Sequence, residues 1–83
     1  MINELISGNT PSTSTTPTNS ASDVVIEGRG LGRIFLECMV PGGQWVVISD
    51  KTGAFTVDTP DASIEYRFRP ADVKNAVRVF FGP

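Results

Sequence analysis

Hydrophobic residues in this chain recur with a period of two, in short runs separated by turn residues. That period suits half-buried β-strands and is incompatible with amphipathic helices. In residues 62–69, Ile64, Tyr66 and Phe68 point one way, while Ser63, Glu65, Arg67 and Arg69 point the other. In residues 33–40, Ile34, Leu36, Cys38 and Val40 share one face, and Arg33, Phe35, Glu37 and Met39 share the opposite one. Residues 23–27, 44–49, 54–58 and 76–81 supply further strands. Pro41-Gly42-Gly43 and Thr59-Pro60-Asp61 are turns, and residues 70–75 are a loop or a single helical turn. Asp50-Lys51-Thr52-Gly53 reads as a hairpin connection, with Gly53 at positive φ. The expected fold is all-β: a small antiparallel β-sandwich or barrel of about six strands, spanning residues 23–83.

Residues 1–22 differ in kind. They carry one charge, Glu4, and no aromatic residue. Residues 11–22 read PSTSTTPTNSAS. Short hydroxyl side chains compete with the backbone for hydrogen bonds, and proline blocks regular ladders. Such a segment buries too little apolar surface to offset its ordering entropy, so a flexible or extended N-terminal arm is expected. Fully extended, residues 11–22 reach about 40 Å. At the far end Met1, Ile2, Leu5 and Ile6 form an apolar tip. Two readings stay open: Ile2, Leu5 and Ile6 anchor the arm on a partner, or they pack back onto the domain's own edge.

Size narrows the options. A body of about sixty residues buries only about 60% of its unfolded surface and is marginal alone. Cys38 is the single cysteine, so no intrachain disulfide forms. There is no histidine, and the nine carboxylates are scattered, so no metal site is expected. Oligomerisation or docking is the remaining route to stability.

The expected core is Ile34, Leu36, Trp45, Val47, Phe55, Ile64, Tyr66, Phe68, Val77 and Val79. The other face keeps Phe35, Met39, Val46, Ile48 and Phe80, enough for an interface patch if they lie together.

Chemistry is hard to place. Without histidine no Ser-His-Asp or Cys-His arrangement exists. Cys38 lies mid-strand on the inward face and reads as a small buried hydrophobe. Asp58 and Asp61 flank a turn and suit it better than acid–base work. Gly28-Arg29-Gly30-Leu31-Gly32 lacks the spacing of a phosphate loop; it marks a bulge or a close backbone approach. No catalytic residue, cofactor or metal ligand is assigned. Seven basic residues against nine acidic ones, unclustered, give no nucleic-acid surface. No targeting signal and no apolar run of about twenty residues is visible, so no membrane partner is expected. Trp45, Tyr66 and the arginines offer stacking groups for a sugar, which keeps a carbohydrate- or receptor-binding module as the alternative.

Pro41-Gly42-Gly43-Gln44-Trp45, Gly53-Ala54-Phe55, Asp58-Thr59-Pro60, Glu65-Tyr66-Arg67-Phe68 and Val77-Arg78-Val79-Phe80-Phe81-Gly82-Pro83 together resemble small virion proteins of tailed bacteriophages, over roughly residues 24–83. The resemblance implies a non-enzymatic all-β structural protein that decorates or cements the capsid or attaches a head fibre. It implies a homotrimer whose N-terminal arm grips the major capsid or another virion protein. It also implies a product made in the host cytoplasm and carried in the virion.

Overall fold

The computed structural model describes residues 1–18, 21–28 and 32–82. Arg29, Gly30 and Leu31, the middle of the glycine-rich stretch, lie outside the described residues, as does Pro83. The chain is all-β. Its described residues form seven strands, β1 (Ile2–Gly8), β2 (Ser22–Ile26), β3 (Arg33–Val40), β4 (Gln44–Ser49), β5 (Gly53–Val57), β6 (Tyr66–Ala71) and β7 (Val73–Gly82). They form a four-stranded sheet in the order β1-β7-β2-β5 and a three-stranded sheet in the order β4-β3-β6, with every pairing antiparallel.

The inner faces close on one core. Ile2, Ile6, Val24, Ile26, Val77, Val79 and Phe81 come from one sheet, and Ile34, Leu36, Cys38, Tyr66 and Phe68 from the other. Tyr66 and Phe81 stack across the gap with centroids 5.2 Å apart, a contact of about 0.5–1.5 kcal/mol beyond area burial. The Tyr66 hydroxyl accepts a hydrogen bond from Asp61 N at 3.0 Å, so its polar end is satisfied.

Residues 1–18 are built into this body and are not a free arm; of the two readings left open, Ile2 and Ile6 follow the one in which they pack onto the domain's own edge. Strand β1 runs along β7, pairing Ile2 with Phe81 and Ile6 with Val77. Ile2 is 1% exposed and Ile6 5%. The hydroxyl-rich segment then crosses to the second sheet and lies along the edge of β6. Ser12 N donates to Phe68 O at 2.9 Å, and Phe68 N donates to Ser12 Oγ at 2.9 Å. Thr15 and Tyr66 exchange backbone bonds of 2.9 and 2.8 Å. The segment thus acts as a short fourth lane of the smaller sheet. Its backbone groups find partners in β6, which is why polar side chains suffice.

Two connections also differ from expectation. Asp50-Lys51-Thr52 joins strands of different sheets, because β5 pairs with β2 and not with β4. Gly53 does take the expected positive φ, 95°. Residues 70–75 are not a loop: β6 and β7 meet at Asp72 alone, whose φ is 54°. Asn9 holds that corner. Asp72 N donates to Asn9 Oδ1 at 3.0 Å, and Asn9 Nδ2 donates to Asp72 Oδ1 at 3.3 Å. Gly32 packs on the same corner. A Cβ there would stand 2.5 Å from the Asp72 carbonyl oxygen, which accounts for glycine where a close backbone approach was expected.

Candidate interaction site

The outer face of the three-stranded sheet gathers most of the side chains that can meet a partner. Cross-strand register sets its rows. Arg69 stands opposite Phe35 and Arg67 opposite Glu37. Glu37 stands opposite Val47 and Met39 opposite Trp45. At the centre is Glu37, 3% exposed. Arg67 Nε donates to Glu37 Oε1 at 3.0 Å, and Arg69 Nε donates to Glu37 Oε2 at 2.8 Å. Each guanidinium also lies over a ring: Arg67 over Trp45 at 4.1 Å and Arg69 over Phe35 at 4.6 Å. Arg33 approaches Phe35 from the same face at 5.4 Å and pairs with Asp50 at 2.6 Å. One buried carboxylate therefore organises two cations, each of which also lies over a ring. Contacts of this type contribute about 0.5–2 kcal/mol each, more where they are desolvated.

Glu65, Arg67 and Arg69 were placed together on the outward face of their strand, with no partner assigned to the arginines. Their carboxylate partner is Glu37, one strand away, and sequence spacing carries no trace of it. Trp45 and Val47 were expected in the core. They lie on the outer face instead, where Val47 is 44% exposed. The cause is local. Residues 45–48 are apolar on both faces, so alternation cannot orient the strand. The ladder also slips between Leu36 and Glu37, leaving Ile48 as the extra residue of a bulge.

The eight residues expected to form interfaces scatter as a result. Phe35 and Met39 share the outer face just described. Val46 stands opposite inward-facing Cys38, yet is 41% exposed because β4 is an edge that the larger sheet leaves uncovered. Ile48 is 45% exposed at the bulge. Phe80 lies on the outer face of the other sheet, opposite Asn3 and Val25. Leu5, 56% exposed, shares that distant face. Ile2 and Ile6 are core. No single patch unites Phe35 with Phe80.

Other candidates fall into structural positions. Cys38 is buried, and burial pushes its thiol up from the usual value. Asp61 caps its own turn, taking Ser63 N at 2.9 Å and Ser63 Oγ at 2.6 Å. Those two bonds hold its carboxyl below the usual range. Of the aromatics proposed for sugar stacking, Tyr66 is 5% exposed and Trp45 carries Arg67 on its ring. Among the described residues no three His, Cys, Asp or Glu side chains gather as metal ligands. No helix among them is long and apolar enough to cross a membrane. Comparison with family models, curated proteins and solved structures finds no match to this chain.

Proposed function

We propose that the chain is a non-enzymatic structural protein that works by attachment. We assign it to a phage virion, where it decorates or cements the head or attaches a head fibre. The virion assignment rests on the resemblance of residues 24–83 to such proteins. The attachment role rests on one observation, the condition of β4. Val46, Val47 and Ile48 are each 41–45% exposed on an edge strand that contains neither charge nor proline. Edge strands of soluble proteins ordinarily carry such protections, since their unpaired backbone groups template pairing with another chain. Here only the bulge at Ile48 interrupts the edge. By contrast, the edge of β6 is covered by the segment around Ser12 and Thr15.

The partner we assign to β4 is a second copy. Symmetry then separates two outcomes. Pairing of β4 with β4 is isologous and closes as a dimer. The trimer implied by the resemblance needs β4 of one copy to pair head-to-tail with a different edge of the next, β5 or β1. Sedimentation of wild type and Val47→Lys over a range of concentrations tests this. A concentration-dependent dimer or trimer that the lysine reduces to monomer is the expected result. A wild type that stays monomeric at high concentration contradicts the proposal.

A further inference from the structure

We infer that Arg33 and Arg69, converging over Phe35, form an oxyanion site that takes the carboxylates of an acidic segment on a partner protein. The inference starts from what each guanidinium has left to give. Arg69 spends its Nε on Glu37, and Arg33 spends one Nη on Asp50. Among the described residues no acceptor meets either Nη of Arg69. Each cation is nonetheless held by a carboxylate and by the Phe35 ring. Their Cζ atoms lie 4.6 and 5.4 Å from one ring centroid, which places them within about 10 Å of each other. A guanidinium that is already positioned loses little freedom on binding, and its planar fork matches a carboxylate in two bonds.

The surroundings decide which end of the face is cationic. Glu65 lies at the far end, its carbonyl accepting from Met39 N, next to Arg67. At the Phe35 end the carboxylates are Glu37, which is buried between Arg67 and Arg69, and Asp50, which is bound to Arg33. The side chains of Arg33 and Arg69 are 67% and 35% exposed, so each is open to an incoming anion. Free phosphate shares this chemistry. A protein source is assigned because attachment to another protein is the role proposed above, and the site's assignment to a protein partner rests on that reading.

The test is a titration of the full chain with a hexaglutamate peptide, a hexaglutamine peptide and inorganic phosphate, read by NMR of the arginine Nε–H signals. The expected result is saturable shifts at Arg33 and Arg69 with hexaglutamate, none with hexaglutamine, and affinity at least tenfold weaker in Arg69→Gln. Arg33→Gln is the second variant, since its exposed pair with Asp50 can be lost without disturbing the core. It should also weaken binding several-fold. No shift with either anion, or binding unchanged in both variants, overturns the site. Shifts with phosphate alone overturn its assignment to a protein partner. Self-association is read at β4 by sedimentation, so failure here is distinguishable from failure of the attachment role.

Discussion

Glu37 shows how one side chain sets the character of a surface. It is a carboxylate buried in the outer face of a sheet, where an alternating pattern alone predicts exposure. It can be buried because both its oxygens accept bonds from guanidinium groups. Removing it leaves two partly buried cations without a counter-charge. Glu37→Ala should therefore cost about 1–3 kcal/mol, toward the low side of losses at buried ion pairs because the arginines still reach water. Urea denaturation measures that loss. Trp45 fluorescence should shift in the folded state as Arg67 is released from the ring. At Gly32 the constraint is steric: φ is 111°, and a methyl group would meet the Ala71 and Asp72 carbonyls at 2.5–2.6 Å. Gly32→Ala should lose about 2–3 kcal/mol or fail to fold, measured in the same way. Asp61 supplies a pH dependence. Its folded pKa lies below the ordinary 3.8, so its contribution is present above that value and lost as pH falls through the folded one. In Asp61→Asn, stability measured across the acid range below about pH 4 should fall less steeply than in wild type.

Among the elements, β1 is the least legible in sequence and among the most tightly integrated. Its apolar residues are spaced i, i+3 and i+4 in part, interrupted by Asn3 and Glu4, and followed by a hydroxyl-rich run. Nothing local marks it as a strand. Its pairing with β7 is decided by a lane some seventy residues away in sequence, which a local pattern cannot encode. The segment after it is equally opaque. Its bonds to β6 run largely through backbone atoms, and side-chain composition does not report them. By contrast, β2, β3, β6 and β7 were legible from their alternating apolar inward positions, although residues 62–65 lie outside β6, and β6 and β7 together take up most of the stretch 70–75 expected as a loop. Strand β4 was legible as a strand but not in its orientation, since Trp45, Val46, Val47 and Ile48 are apolar on both faces. The candidate site was only half legible for the same reason. Phe35 and Met39 were placed on the correct face, Trp45 and Val47 on the wrong one, and Glu37 as anchor could not be foreseen. Because Ile6 is core, Ile6→Ala should cost about 2–4 kcal/mol, whereas the same change in a free arm would leave stability unaltered. Thermal unfolding of the variant separates the two.

At the scale of the whole molecule, the two sheets close on one core and leave β4 as an edge of the smaller sheet. The segment around Ser12 and Thr15 shields β6, while β4 presents three exposed apolar residues in a row. A small β-domain is marginal in isolation, and association along an open edge adds burial and pairs backbone groups at once. We propose that β4 is where this protein meets its next copy. Amide hydrogen exchange along Gln44–Ser49, measured at low and high protein concentration, tests it most directly. If β4 pairs between copies, its amides exchange fast when dilute and slow markedly as concentration rises, while those of β6, paired on both sides within one chain, stay unchanged. Exchange along β4 that is the same at every concentration would contradict it.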